Sequence, residues 1–494
     1  MMASRNVAGY ARSTITIRFA FLAFISSLML PALWDGQVAF AHAKLIRSSP
    51  AQAEHLDILP ANIVLEFTEP VGLEFSEVQL FSGDRQKFPA GDLTRSGGRD
   101  TTVSLPLDDQ SFTGLVYVAW RAVSSVDSHL MSGSYWFSVG AGSENITPEG
   151  SGFPVAGDDD GTPLEGTASA PDLPRLLARI LILASSALLL GGPVFTLLVI
   201  EPSAVQHGER GELVDRLART RLAAIGAGAA GLLALALLVD ILTQTAIVAG
   251  TDYAGALTRL DMTQLLLSST RYGFAWILKL LASLSLASLM LFAWATGTRK
   301  TSNIWEIAIA GASLLFLAEV LSSHAAAAQG GSIGGLPVPV LSDWLHMVAA
   351  SLWAGGLIYM VAILFPAMKA SGMEQAERSA FLRSSIPRFS RLAVVSVLTL
   401  AVTGSYNLLV HTSDARAVFD SNYGWVLMLK VILFTALVML GARSFRVFRH
   451  TPMGSGSERQ ENIDVALGRN VRVEVVLVLV ALSCAAALTL LPPP

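Results

Sequence analysis

The sequence predicts a small all-β domain followed by an all-α membrane domain. Short alternating apolar runs, separated by Gly, Pro, Asp and Ser clusters, fill residues 42–140, and this pattern is typical of a β sandwich or barrel. Residues 173–494 hold eight apolar stretches, each long enough to cross about 30 Å of hydrocarbon. Hydrophobic residues make up 52% of the 494 residues and charged residues only 15%, which is too little charge for a soluble protein.

Composition excludes several classes of protein. The net charge of −4 argues against a body that binds nucleic acid. A single cysteine, Cys484, excludes an intramolecular disulfide framework and a zinc site built from several cysteines. The sequence contains no Walker A motif, so no nucleotide site is expected. We expect no catalytic residues and do not expect an enzyme.

Residues 1–41 have the organisation of a secretory signal peptide. Three arginines precede an apolar run at residues 19–33, and Ala39-Phe40-Ala41 supplies small residues at the two positions that a signal peptidase recognises. The alternative is an uncleaved anchor helix, for which the apolar run is short. Cleavage after Ala41 would make His42 the first residue of the mature protein.

A linker separates the exported β domain, residues 42–140, from the helices. Residues 141–172 contain six Gly, seven acidic residues and neither Lys nor Arg. This composition predicts a solvated, flexible segment. We expect it to keep the β domain close to the membrane.

The eight predicted transmembrane helices have a clear charge asymmetry. They lie near residues 176–200, 222–249, 273–298, 304–325, 342–368, 392–411, 424–442 and 474–492. If the β domain is exported, the loops 201–221, 299–303, 369–391 and 443–474 face the cytoplasm and carry 17 Lys and Arg, against 3 in the opposite loops. Cytoplasmic loops are enriched in Lys and Arg. The sequence therefore predicts a multi-pass bacterial inner-membrane protein with both mature termini in the periplasm.

The helical part also contains an internal similarity. Helices 1–3 resemble helices 5–7 in order, at offsets of 164, 170 and 151 residues. The pairs Gly191-Gly192 and Gly355-Gly356 illustrate the first offset. An offset of four helices gives both halves the same orientation, which predicts a parallel repeat. Chance similarity among apolar helices is the alternative.

Two places in the β domain carry candidate metal ligands. An N-terminal His42 offers its amine and its imidazole to one metal, and Asp127 and His129 stand two residues apart. Together they form a set of nitrogen and oxygen ligands in the tetragonal arrangement that Cu(II) prefers. The alternative for Asp127 and His129 is an ordinary pair of surface residues.

Several motifs of this domain resemble the CopC family of periplasmic copper-binding domains. They are His42-Ala43-x-Leu45, Ser49-Pro50-Ala51, Val64-Leu65-x-Phe67-x-Glu69-x-Val71 and Tyr117-x3-Arg121-x-Val123-Ser124-x4-His129. The resemblance implies a cupredoxin-like Greek-key barrel that binds Cu(II) through His42, Asp127 and His129. This chain has Ser128 where the family usually has Gly, which puts the conformation of the turn in doubt.

Ionisable residues within predicted spans are costly and are therefore functional candidates. His324 falls at the outer end of helix 4 and His346 at the outer end of helix 5, on the side of the β domain. Two imidazoles at one depth predict a site where the membrane domain accepts metal, although interfacial polar residues are the alternative. Asp240 and Glu319 are secondary transport candidates.

The same region resembles the CopD family of copper uptake and resistance proteins. The resemblance rests on Asp343-x2-His346-x6-Trp353-x-Gly355-Gly356, with Ser323-His324-Ala325 and Tyr423-Gly424-x5-Lys430. It adds Asp343 and Trp353 to the transport candidates. In the internal repeat, Ile182 occupies the position of His346 and Leu189 that of Trp353. We therefore expect one metal acceptor site, in the second half.

The combined features resemble a CopC–CopD fusion that captures Cu(II) in the periplasm and passes copper inward. The expected partners are the copper ion, the lipid bilayer and periplasmic copper carriers. The residues leave open the direction of transport and the oxidation state of copper in the membrane. Two alternatives also stay open: a redox protein with His324 and His346 as axial ligands of haem b, and a copper sensor without transport.

Overall fold

A computed structural model describes residues 45–84, 86–87, 89–107, 111–141, 173–297, 302–323, 332–333, 336–411, 419, 421–450 and 457–491. The predicted signal peptide, nearly all of the linker, His42 and His324 lie outside the described residues. The described chain consists of a β-sheet domain followed by a domain of long helices. The predicted order, an all-β part and then an all-α part, is confirmed.

The β domain is built from two four-stranded sheets. The strands are β1 (Leu45–Ser49), β2 (His55–Leu56), β3 (Asn62–Phe67), β4 (Glu77–Ser82), β5 (Thr94–Arg95), β6 (Thr102–Pro106), β7 (Gly114–Val123) and β8 (Leu130–Val139). One sheet has the order β1-β3-β6-β5 and the other the order β2-β8-β7-β4. Pairing is antiparallel except between β2 and β8.

The core of the β domain follows the alternation of the sequence. Ile63, Leu65 and Phe67 of β3 are buried, and the intervening residues are more exposed. Phe67 meets Trp120 of β7 edge to face, with ring centroids 5.2 Å apart. Since successive side chains of a strand point to opposite faces, this pattern puts one face of each sheet inside.

The helical domain follows as twelve helices in the described part of the chain. They are α1 (Leu173–Phe195), α2 (Glu201–Ala204), α3 (Gly208–Ala249), α4 (Tyr253–Thr258), α5 (Leu260–Ser269), α6 (Arg271–Thr296), α7 (Ser302–Leu321), α8 (Val338–Tyr359), α9 (Phe365–Ala370), α10 (Gln375–His411), α11 (Asn422–His450) and α12 (Ser457–Leu488). A short strand pair, β9 (Ser332–Ile333) and β10 (Leu336–Pro337), precedes α8.

Seven helical stretches of the described chain are long and apolar enough to cross a membrane. The first, Leu173–Ala249, includes both α1 and α3, which pack against each other. Several helices continue well beyond their apolar stretches. At 42 residues, α3 is about 63 Å long, roughly twice the thickness of the hydrocarbon.

The prediction that residues 201–221 and 369–391 are loops was largely wrong. Most of the first segment belongs to α2 and α3, and most of the second to α10. Both segments are rich in Arg, Glu and Leu or Ala, which are strong helix formers. Hydropathy marks where a helix leaves the apolar layer, but not where the helix ends.

The helices α1 and α8 cross at a close contact between glycines. A Cβ atom on Gly191 would lie 2.7 Å from the Cα of Gly355, and one on Gly355 would lie 2.7 Å from the carbonyl oxygen of Ala187. Five residues after each of these glycines, a π-helical segment begins, at Thr196–Ile200 and at Met360–Leu364. The helices can approach this closely only because neither residue has a side chain.

Candidate metal sites

The first candidate site is the turn between β7 and β8. The turn runs from Ser124 to His129 and is closed by a hydrogen bond from the Ser124 N–H to the His129 carbonyl oxygen, at 3.0 Å. The Oδ1 atom of Asp127 accepts a hydrogen bond from the His129 N–H at 2.9 Å. Asp127 and His129 are half-buried, whereas Val126 and Ser128 are buried. The two predicted ligands thus belong to one tight turn and keep partial access to solvent.

Ser128 holds this turn in a conformation that favours glycine. Its φ angle is +60°, which costs a residue with a side chain roughly 1–2 kcal/mol. The hydrogen bond accepted by Asp127 spans Ser128 and helps to fix that conformation. The turn therefore keeps a glycine-like backbone with serine in place.

A buried carboxylate, that of Glu69, supports the turn through Ser124. Glu69 is 2% exposed, and its Oε2 atom accepts a hydrogen bond from the Ser124 Oγ atom at 2.8 Å. The Ser124 Oγ atom in turn accepts the Val126 N–H at 3.2 Å. In the sequence, Glu69 is visible only as part of the CopC-like motif. Its place two residues after strand β3 is the one signal of its structural role.

The same turn contacts the ends of two helices. The Ser128 carbonyl oxygen accepts a hydrogen bond from the Gln244 Nε2 atom of α3 at 2.5 Å. The Ser125 carbonyl oxygen accepts one from the backbone N–H of Arg271, the first residue of α6, at 3.0 Å. The candidate ligands therefore lie where the β domain meets the helical domain.

The second candidate site surrounds His346 on α8. The His346 Nδ1 atom lies 2.9 Å from the Thr403 Oγ1 atom of α10. The Thr403 hydroxyl donates its single proton to the Thr399 carbonyl oxygen, at 2.6 Å. Because the hydroxyl has no second proton, it must accept from His346, so Nδ1 carries the hydrogen and Nε2 keeps its lone pair. An imidazole fixed in this way is arranged as a metal ligand.

The imidazole also lies beside the backbone of α10. A Cβ atom on Gly404 would lie 3.4 Å from the Cε1 atom of His346, which is ordinary van der Waals contact. Trp353 packs edge to face against Phe434 of α11, with ring centroids 5.7 Å apart. Its indole ring therefore helps to join α8 to α11.

Asp343 lies one turn before His346 and is held by a polar chain. The Asn407 amide donates to the Asp343 Oδ1 atom at 2.5 Å and accepts from the Ser342 hydroxyl at 2.7 Å. Lys430 of α11 lies within electrostatic range of both Asp343 and His346. The negative charge of Asp343 offsets the positive charge of Lys430, which would otherwise oppose a metal ion at His346.

The secondary candidates Asp240 and Glu319 belong to the first half. The Asp240 Oδ2 atom accepts a hydrogen bond from the Tyr272 hydroxyl at 2.7 Å. The Glu319 carboxylate receives Arg179 at one oxygen and Lys279 at the other, both at 2.7 Å. Both acids are thus engaged by protein groups, and Glu319 joins α1, α6 and α7.

The predicted ligand sets are only partly within the described chain. No group of three or more His, Cys, Asp or Glu that could hold a metal occurs among the described residues. The third ligand predicted beside Asp127 and His129 is His42, and the partner predicted for His346 is His324. Both lie outside the described residues.

Comparison with known families covers most of the chain. Residues 45–140 match the model of the CopC domain. Residues 170–335 match the N-terminal domain of copper resistance protein D-like proteins, and residues 383–488 match copper resistance protein D, the CopD family. The chain therefore combines a region that matches CopC with two regions that match families of copper resistance protein D. Asp343, His346 and Trp353 lie between the two matched membrane regions, so their assignment rests on the motif and on the contacts described above.

The chain is similar to a curated copper transport protein over nearly the whole length of the chain. The copper transport protein CutJ of Bacillus subtilis (strain 168) is 27% identical over 470 residues, which cover 94% of this chain and 77% of CutJ. CopC from Methylosinus trichosporium OB3b is 22% identical, covers 20% of this chain and 94% of its own, and has a TM-score of 0.19. PcoC, a methionine-rich copper resistance protein from Escherichia coli, is 27% identical. The match covers 20% of this chain and 98% of PcoC, with a TM-score of 0.18.

Proposed function

We propose that this CopC–CopD fusion binds copper with its β domain and carries it across the inner membrane, most simply inward, for copper homeostasis and resistance. Both families matched by the helical domain are named for copper resistance, and the relative CutJ is named as a copper transport protein. These names favour copper over haem as the species that the membrane histidines serve. Import agrees with a capture domain outside the membrane, and periplasmic copper carriers are the expected donors.

In this proposal the β domain holds Cu(II) through His42, Asp127 and His129. The close spacing of Asp127 and His129 in one turn supports it, as does their partial exposure. The proposal includes removal of residues 1–41, a domain at 42–140, a linker at 141–172 and a membrane domain from residue 173. Cleavage after Ala41 is essential, because the free amine of His42 is one of the ligands.

The proposed acceptor in the membrane is His346, together with His324, Asp343 and Trp353. The observation that carries the proposal is the hydrogen bond from His346 to Thr403. With Nδ1 used by Thr403, the Nε2 lone pair is the one that would bind the metal. Asp240 and Glu319 rank lower as transport residues, because neighbouring protein groups already use their carboxylates.

We also propose eight membrane crossings with both mature ends in the periplasm. Two of the crossings, α1 and α3, fall within the first apolar stretch, Leu173–Ala249. A parallel repeat of two four-helix halves fits the close contact of Gly191 with Gly355. It also fits the two π-helical segments, which begin 164 residues apart, at the offset seen between the sequences of α1 and α8.

The test is copper uptake by purified protein in liposomes of known orientation. The proposal expects copper to accumulate inside when it is added on the side of the β domain. Copper binding without accumulation would favour a sensor. A Soret absorption band in the purified protein would instead favour a haem-containing redox protein.

A further inference from the structure

The turn that carries two predicted copper ligands is also part of an interface within the molecule. Two main-chain carbonyl oxygens of the turn, from Ser125 and Ser128, accept hydrogen bonds from α6 and α3. Gln244, the donor on α3, is 7% exposed, so its side chain is almost completely enclosed by this contact and its own domain. The turn therefore uses its carbonyl groups for the interface and leaves the Asp127 and His129 side chains half-buried.

An arginine of strand β7 binds the end of α3. The Arg121 Nη2 atom donates to the carbonyl oxygens of Ile247 and Val248, at 2.7 and 3.0 Å. These are among the last carbonyls of α3, which ends at Ala249. The next residue, Gly250, has a φ angle of +65°. The last carbonyl groups of a helix lack their usual partners one turn later and carry the negative end of the helix dipole. The Ile247 carbonyl oxygen also accepts the Gly250 N–H at 3.3 Å. The Arg121 guanidinium group of the β domain adds donors and a positive charge at this helix end.

The interface also has an apolar part. Phe75 and Val123 of the β domain are 7% and 0% exposed, and they belong to the same continuous hydrophobic cluster as residues of α1 and α3. Leu130, the first residue of β8, packs against that cluster. The β domain is therefore held by desolvated apolar contacts as well as by hydrogen bonds.

A linker with the flexibility that the composition of residues 141–172 predicts would hold the β domain much more loosely. A flexible chain of 32 residues has a root-mean-square length of about 30 Å and gives an effective concentration in the millimolar range. It would leave the copper ligands facing in any direction. The contacts of Arg121, Ser125 and Ser128 instead fix one orientation, with the ligand-bearing turn on the helix ends.

We propose that this interface is the working arrangement of the protein, and that copper passes to the membrane domain while the turn at residues 124–129 is docked on α3 and α6. Docking itself does not depend on the transport function, whereas the delivery of copper rests on the function proposed above. The two parts have separate measurements.

Docking is tested by cross-linking of the full-length protein in membranes. The native Cys484 is replaced with Ala, and Ser125→Cys is combined with Arg271→Cys, which keeps the donating backbone N–H. The pair should react with a short bis-maleimide reagent at least tenfold faster than Ser125→Cys combined with Ser288→Cys, which lies some five turns further along α6. Equal rates for the two pairs would overturn docking.

The contacts are tested from both sides of the interface. Arg121→Met and, independently, Gln244→Leu should each reduce cross-linking of the Ser125 and Arg271 cysteine pair at least tenfold. Arg99→Met is the matched control, because Arg99 is exposed and pairs with Glu66 inside the β domain; it should leave cross-linking unchanged. Retained cross-linking in both interface variants would overturn the assignment of these contacts.

Delivery is tested by the same variants in liposomes. Arg121→Met and Gln244→Leu should reduce copper uptake at least tenfold, while the Cu(II) affinity of the full-length protein changes less than twofold. Unchanged affinity also shows that the β domain is folded. Full uptake in variants that no longer cross-link would overturn docked delivery. No uptake by the unmodified protein would refute the transport function and leave the cross-linking result standing.

Discussion

The two halves of the helical domain, residues 173–323 and 336–488, use their buried polar groups differently. In the first half, charged groups pair with each other: Glu319 with Arg179 and Lys279, at 2.7 Å each. In the second half, His346 is hydrogen-bonded through one ring nitrogen to Thr403. The first half also contacts the β domain through Gln244 and Arg271. In the function proposed above, the first half docks the β domain and the second half accepts the metal.

The largest expected effect comes from breaking the ion cluster of the first half. Glu319→Gln leaves Arg179 and Lys279 without their shared carboxylate in a buried site. Removing one partner of a buried ion pair costs about 3–5 kcal/mol. Unfolding of the purified protein should show a loss of stability of this size.

The matched variant in the second half is Asp343→Asn. Asp343 is half-buried and hydrogen-bonded to Asn407, and an amide can keep one hydrogen bond there, so the expected loss is about 1 kcal/mol. If Glu319→Gln is no more destabilising than Asp343→Asn, the two halves do not differ in the proposed way.

The next effect tests the hydrogen bond that orients His346. Thr403→Val removes the acceptor of the Nδ1 hydrogen and frees the imidazole to change tautomer. Loss of such a supporting contact typically reduces metal affinity 10–100-fold. Copper uptake at limiting copper should fall about tenfold, without loss of protein from the membrane. Ser405→Ala is the control on the same helix, since Ser405 is exposed and bonds only to Ala401 of its own helix among the described residues.

A further prediction concerns the proposed copper site of the β domain. One additional residue before His42 moves the terminal amine away and should weaken Cu(II) binding at least tenfold, or about 1.4 kcal/mol. Binding should also weaken below about pH 6, because the imidazoles of His42 and His129 must lose their protons to bind metal. Titration of the exported protein with Cu(II) measures both effects, and an unaltered affinity in the extended variant would exclude the N-terminal chelate.

The smallest expected effect lies in the docked turn. Ser128→Gly relieves the left-handed backbone conformation and removes a hydroxyl that has no hydrogen-bond partner among the described residues. The free energy of unfolding of the β domain should rise by up to about 1 kcal/mol, and Cu(II) affinity should stay the same. A loss of stability would show that the Ser128 side chain has a supporting contact of its own.

Local patterns predicted the β domain well, with identifiable gaps. The longer strands β3, β4, β6, β7 and β8 lie where the sequence has short apolar runs, because such runs report which residues of a strand are buried. The strands β2 and β5 are only two residues long, and β1 ends in Arg-Ser-Ser, so none of the three has an alternating pattern. The Asp127-x-His129 pair lies in the tight turn between β7 and β8.

The contacts between distant parts of the chain could not be read from the sequence. Arg121 binds two backbone carbonyls that lie 126 and 127 residues later, and any residue type supplies such carbonyls. Glu319 was recognised as a costly membrane residue, but its partner Arg179 is 140 residues away. The sequence shows which charged residues within the spans need partners. The packing of α1, α6 and α7 determines which residues those partners are.

The most direct test of the division between the halves compares His346 with Ile182, its counterpart in α1. Copper accumulation is measured in liposomes that contain the unmodified protein, His346→Ala or Ile182→Val, at equal protein levels. We expect His346→Ala to abolish accumulation while Cu(II) binding by the β domain is intact, and Ile182→Val to transport normally. Normal transport by His346→Ala would contradict the account and would move the metal route to Asp240 and Glu319 in the first half.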